Sequence, residues 1–161
     1  MNLRKHIIIW LFKHSQQLYT FFKSKPSWEI NRSQLLLLPK NTLGYALGDF
    51  LDINGFELLP KVERHDAYHV VTGYGTNVED EIALQYLCYG NGKRSLYLFG
   101  VIAIGTLLLP DYYKLYFHSF KIGKRANSFH HYNYKRLLLI DLIEFRAMIF
   151  TKQQQYELKL I

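Results

Sequence analysis

Two histidines and two carboxylates stand close together in the chain, as His65, Asp66, His69 and Glu81. Imidazole and carboxylate are the ligand types of borderline divalent metals. His65 and His69 are four residues apart, so on a helix both rings leave the same face. Asp66 lies about 100° around that helix from His65. There it either joins the site at its edge or orients a histidine from behind. Two imidazoles with one or two carboxylates predict a bound divalent ion with one coordination position open. Zinc is the first expectation, iron or another transition metal the next. The bland alternative is an ordinary helix face that carries two histidines.

These side chains meet only if two helices bring them together. Thr72-Gly73-Tyr74-Gly75-Thr76 reads as a tight turn. Gly73 sits where a helix takes a left-handed cap. Thr76 followed three residues later by Glu79 is a capping box, so a new helix is expected from about Asn77. Folded back as an antiparallel pair, the two helices would set Glu81 opposite His69. His65 would then lie one turn below, roughly 5–6 Å away. The pattern also resembles the His-Glu-x-x-His of zinc proteases, with Asp66 in place of the catalytic Glu. That base is one methylene shorter, which weakens a protease reading. A metallohydrolase using Asp66 or Glu81 as base remains an alternative.

The rest of the chain reads as further helices. Residues 3–23 form one, with basic Arg4 and Lys5 before the short apolar run Ile7 to Phe12. Leu11, Leu18, Phe21 and Phe22 give it an apolar side, so residues 1–26 are a candidate amphipathic helix for a membrane surface or for packing on the domain. The run is too short for a secretory signal core. Residues 27–40 are ambiguous. Asn41 or Thr42 caps a helix to about Ile53, with Gly44 and Gly48 on one side, where another backbone or a lipid tail can approach. Pro60 suits the first turn of the histidine-bearing helix. Gly90-Asn91-Gly92 breaks the chain. Ser95 to Leu109 is apolar all round yet shorter than the roughly 20 residues a span needs. It is expected to be the central buried helix, with Gly100 and Gly105 as notches for packing or for a tail-binding tunnel. Residues 111–128 predict one or two helices ending in Lys121, Lys124 and Arg125. A phosphate or carboxylate head held in a fork by Arg125 is one use of that cluster; a solvated basic surface is the other. Residues 132–150 are expected as the last strong helix, with Leu138, Leu142, Phe145 and Ile149 as its stripe. Residues 151–161 are helical or frayed. No segment alternates like a strand. The fold class is therefore all-α, about six or seven helices in one domain spanning 1–161.

Composition bounds the function. The chain has 161 residues, 49% of them hydrophobic and 20% charged, enough for one core without long disorder. Aromatic residues reach 16%, suited to a core, a lipid groove or a membrane interface. The net charge of +7 favours anionic partners. Basic residues are dispersed and no nucleic-acid motif occurs, so an anionic membrane surface is the preferred partner over nucleic acid. Cys88 is the single cysteine. It excludes an internal disulfide and a cysteine-cluster zinc site.

The motif resembles the signature of the Coq4 family of ubiquinone (coenzyme Q) biosynthesis. The family pattern is His-Asp-x-x-His, eleven residues, Glu, matched by His65, Asp66, His69 and Glu81. The flanks agree: Leu38-Pro39-Lys40-Asn41-Thr42-Leu43-Gly44, Phe50-Leu51, Asn54-Gly55, the Thr72–Thr76 turn, Ala83-Leu84-Gln85, and Phe120 with Gly123 and Ala126. The likeness runs from about residue 35 to 149 and is looser in the last third. It implies an all-helical fold, a divalent metal, and a groove for a prenylated quinone precursor or other isoprenoid lipid. It also implies one of two roles. One is enzymatic: metal-dependent oxidative removal of the ring carboxylate from a prenylated hydroxybenzoate, with His65, Asp66, His69 and Glu81 as the catalytic set. The other is a non-catalytic scaffold that organises the other ubiquinone biosynthesis proteins. A homodimer is a further expectation. So is a place on the cytoplasmic face of the inner membrane, or on the matrix face in a mitochondrion.

Overall fold

The computed structural model describes residues 3–22 and 26–160, without the side chains at positions 12, 13 and 15–22. Every regular element among the described residues is helical, so the all-α expectation holds. The described helices are α1 (Leu3–Phe22), α2 (Arg32–Leu35), α3 (Leu43–Asn54), α4 (Glu63–Thr72), α5 (Val78–Gly90), α6 (Leu96–Leu108), α7 (Tyr113–Arg125), α8 (Leu142–Ile149) and α9 (Lys152–Lys159). These nine exceed the expected six or seven because α2, α8 and α9 are short. The expected apolar side of α1 at Leu18, Phe21 and Phe22 lies outside the described side chains.

The chain forms two compact units, neither continuous in sequence. One comprises Lys23–Gly73 and Tyr132–Lys159. Here the ambiguous stretch resolves into α2, started by a capping box in which Asn31 and Gln34 satisfy each other's backbone amides. Thr42 caps α3 by accepting from the Tyr45 amide, and left-handed Gly55 ends it. Leu35, Leu43, Leu47, Leu51, Tyr68 and Phe145 are buried in its core. The expected helix over 132–150 is instead a 3-10 turn at Tyr134–Leu137 followed by α8. Asp141 divides them. Its carboxylate accepts from the Ile143 and Glu144 amides and starts a fresh helix. Leu138 is therefore outside α8, and its carbonyl accepts from the Gly44 amide.

The other unit comprises Met1–Phe22, Tyr74–His131 and Leu160–Ile161. Its central pair is α5 and α7, which cross backbone to backbone. A Cβ at Gly90 would run into the Phe120 carbonyl, and one at Gly123 into that of Leu87. Asn91 locks the crossing. Its amide donates to the Gly123 and Asn127 carbonyls and accepts from the Phe129 and His130 amides. Ser95 starts α6 by accepting from the Leu98 amide. This helix is not buried all round as expected. Leu98, Val101 and Gly105 face inward, whereas Leu96 is 91% and Leu107 80% exposed. A thirteen-residue helix with apolar side chains on every side has more surface than the neighbouring α1 and α5 can cover.

Candidate metal centre

The helix that carries the histidines is held at both ends. Gly73 adopts φ 83° and returns its amide to the His69 carbonyl at 2.7 Å, the left-handed stop that its position predicts. The start of α4 is later than Pro60 suggests, with Val62 as its cap residue. Buried Glu63 accepts from Ser27 Oγ at 3.0 Å and from the Trp28 amide at 2.9 Å. At the other end Arg146 donates to the Val70 and Val71 carbonyls. Those carbonyls are among the groups that an α-helix leaves unsatisfied at its C-terminus. Burial pushes the Arg146 guanidinium below its ordinary range, and it remains a cation.

His69 is 2% exposed and stacks on Phe50, with ring centroids 5.4 Å apart and planes 16° from parallel. His65, one turn earlier and half-buried, sets its ring nearly perpendicular to that of His69. The two Nε2 atoms are 3.2 Å apart. That distance suits an N–H···N hydrogen bond. It equally suits chelation, because two nitrogens each 2.0–2.1 Å from a tetrahedral ion lie roughly 3.3 Å from one another.

Half-buried Glu81 stands in the first turn of α5 beside Glu79 and Asp80. Among the described residues, His65, His69 and Glu81 form a group able to hold a metal ion. The donor set, two imidazoles and a carboxylate, is that of many zinc sites with a position left for substrate. Asp66 lies outside this group, in the first turn of α4. The start of α5 differs in one detail from the expectation. Asn77 rather than Thr76 is its cap residue, without a side-chain cap bond, and Glu79 pairs with Lys5 at 2.8 Å. Burial raises the Glu79 carboxyl, but its bonds to Lys5, to its own backbone amide and to Tyr112, with the Lys5 charge, together leave the group below its ordinary range. In the turn, Tyr74 donates to Ser119 Oγ at 2.6 Å, and burial pushes its phenol far up.

The remaining candidate residues are dispersed. A Cβ at Gly44 would meet Leu38 and Leu138, one at Gly48 Leu35 and Leu36, and one at Gly105 Ile82. Those three glycines are close-packing points. Gly100 faces open space. Arg125 is exposed in the last turn of α7, with its Nε directed to the Lys121 carbonyl. Two hollows are lined by described residues. One, about 650 Å³ and open, is lined by Tyr86, Ile102, Ala103, Thr106, Leu107 and Pro110. The other, about 660 Å³, is lined by apolar Ile9, Val78 and Leu109 as well as by Arg4, Lys5, Glu79 and Asp111. Its ion pairs, Arg4 with Asp111 and Lys5 with Glu79, join residues far apart in the chain, so no local spacing betrays it.

No family model matches the chain. A curated relative, the mitochondrial ubiquinone biosynthesis protein COQ4 of Clavispora lusitaniae, is 27% identical over 150 residues. The match covers 79% of this chain but 47% of the relative, so the chain spans about half that protein's length. In fold, the chain is similar to a crystal structure from Nostoc punctiforme of a protein provisionally assigned to ubiquinone biosynthesis. The TM-score is 0.65 at 19% identity, with 94% of this chain and 83% of that one covered.

Proposed function

The chain is a relative of the COQ4 proteins, and on that premise we propose that it serves ubiquinone biosynthesis by holding a divalent metal on His65, His69 and Glu81 beside a prenylated ring substrate. The observation that carries this reading is the pair of Nε2 atoms 3.2 Å apart on one helix face, His69 buried and His65 half-buried. Zinc fits the donor set best, with iron or another transition metal as the alternative. When bound, such an ion supplies Lewis acidity toward a ring carboxylate or hydroxyl. The substrate is a prenylated hydroxybenzoate, and the reaction is oxidative removal of its ring carboxylate, which leaves as CO₂ with dioxygen as the oxidant. The protein's own groups orient the site. Phe50 fixes the plane of the His69 ring, and the backbone bond from Gly73 fixes the end of α4. Asp66 orients an imidazole from outside the ligand set.

An isoprenoid tail suits the open hollow lined by Ile102, Ala103, Leu107 and Tyr86. Each buried CH₂ there gains roughly 0.8 kcal/mol. No single described helix is long and apolar enough to cross a membrane. The protein works at the surface of the membrane that holds its substrate, beside the other ubiquinone biosynthesis proteins.

The test is metal content. In protein purified from its own source, His69→Ala is expected to lose the ion measured by elemental analysis and native mass spectrometry, with helicity unchanged. Full metal content in that variant overturns the ligand assignment. A scaffold role is the second reading, favoured by apolar side chains left outside, among them Leu37, Leu139 and Ile143 at 85%, 67% and 77% exposure. A metal-free His69→Ala protein that still restores ubiquinone in cells would decide for the scaffold.

A further inference from the structure

One face of α6 and α7 is apolar, aromatic and basic at once. Along α6, Leu96, Phe99, Ala103 and Leu107 recur at 3-4-4 spacing and are all exposed. Along α7, Tyr113 and Phe117, four apart, are 60% and 56% exposed. A chain of ring contacts joins the two helices. Phe99 meets Tyr89 edge-on at 5.7 Å, Tyr89 meets Phe120 at 5.6 Å, and Phe120 stacks with Phe117 at 6.5 Å. Cations sit on this chain. The Arg94 guanidinium lies 4.3 Å from the Tyr89 ring centroid, and Lys121 Nζ lies 4.4 Å from that of Phe117.

We propose that this face docks on an anionic lipid bilayer, with Leu96, Phe99 and Phe117 inserted below the headgroups and Arg94 and Lys121 among the phosphates. Aromatic rings with cations at their rim are suited to the membrane–water boundary. Neither α6 nor α7 contains an acidic residue, and α7 carries Lys114, Lys121, Lys124 and Arg125, all exposed. Such a cationic rim complements anionic headgroups. A second copy of the chain fits worse, because a two-fold contact would set the same cations against each other. The thirteen residues of α6 are roughly 20 Å long, short of a hydrocarbon core of about 30 Å, so the helix lies in the plane of the interface. Ala103 and Leu107 belong both to this face and to the rim of the apolar hollow. A lipid tail leaving the bilayer therefore meets the hollow directly.

This surface rests on the reading of a protein that takes a membrane-borne substrate, and its test is separable from that of the metal. The full chain is mixed with phosphatidylcholine vesicles, alone or containing phosphatidylglycerol, and sedimented at two salt concentrations. The expected result is binding to the mixed vesicles, weakened by salt, and little binding to the neutral ones. The double variant Phe99→Glu and Phe117→Glu, and separately Lys121→Glu with Arg94→Glu, are each expected to lower the partition at least about tenfold. Circular dichroism and metal content should stay at wild-type values. Should the double variant lose helicity, Leu96→Glu, at the most exposed apolar position of α6, takes its place. Equal binding to both vesicle types, binding unchanged by these substitutions, or loss of a dimer in place of vesicle binding each overturns the proposal.

Discussion

Asn91 makes four hydrogen bonds through one side-chain amide, and it is 7% exposed. Two go to carbonyls at 123 and 127, and two come from amides at 129 and 130. The side chain thus closes the end of α5, the end of α7 and the loop after it in one place. Asn91→Ala leaves those backbone groups without their partner in a site too small for full solvation. We expect it to cost roughly 3 kcal/mol, seen as a lower urea midpoint with an unchanged slope. Asn91→Asp keeps the acceptor and loses the donors, so its loss should be of similar sign. A midpoint within error of wild type for the alanine variant would mean that water replaces the amide. The sequence reading marked Gly90-Asn91-Gly92 only as a break, because turn propensity reveals the position of a loop and nothing of what its side chain reaches 32 to 39 residues away. His65 and His69 were legible for the opposite reason. Their relation is set by four residues of one helix, and periodicity alone places both rings on one face.

Among the elements, α4 depends on α8 for its C-terminus. Arg146 supplies the Val70 and Val71 carbonyls with donors that the helix lacks. Arg146→Met keeps the length of the stem and removes the donors, so it is expected to cost roughly 2 kcal/mol. It should also raise hydrogen exchange at the end of α4 more than in α5; equal protection in both would refute that role. The start of α3 was legible in Thr42, a cap residue that accepts a backbone bond. The start of α8 carries the same signal in Asp141 with Glu144, but the continuous apolar stripe from Leu138 to Ile149 hid it. A periodic pattern can persist across a break, since buried side chains on either side serve the same core. The exposed side of α6 was not legible either. An all-apolar segment has no polar face to reveal which side meets solvent.

The link between α1 and α5 is electrostatic in part, and its pH dependence follows from two shifts of opposite sense. The hydrogen bond with Glu79 raises Lys5 above its ordinary 10.5. Glu79, raised by burial and lowered by Lys5, its own backbone amide and Tyr112 together, ends below its ordinary 4.5. A lowered carboxyl contributes stability above its unfolded value and loses it as pH falls through the folded one. A raised ammonium contributes below its unfolded value and loses it as pH rises through the folded one. The attachment of α1 is therefore expected to be firm between about pH 5 and 10 and to loosen outside that window. Lys5→Met should abolish the acid limb. Fluorescence of Trp10 against pH reads it, and identical profiles for the two proteins would remove the pair from the account.

At the scale of the whole molecule the chain passes from one compact unit to the other three times before Leu160, near residues 23, 74 and 132. Each unit therefore closes on segments far apart in sequence. The unit that holds His65 and His69 needs residues 132–159, because Leu138 packs at Gly44, Asp141 pairs with Asn41 at 2.8 Å, and Arg146 ends α4. The unit that holds Glu81 takes its central α5–α7 crossing from residues 74–131 alone. A chain cut after His131 separates these dependences. We expect that fragment to keep slow hydrogen exchange in α5 and α7, where the Gly90 and Gly123 crossing and the Asn91 bonds are all retained. Protection in α3 and α4 should fall toward that of an open chain. Bound metal should fall with it, although all three proposed ligands are still present in the fragment. Supplying residues 132–159 as a separate peptide should restore α4 protection and metal together if the histidines depend on this unit's core. Metal retained at full content in the cut chain would show instead that the ligand residues organise around the ion without it.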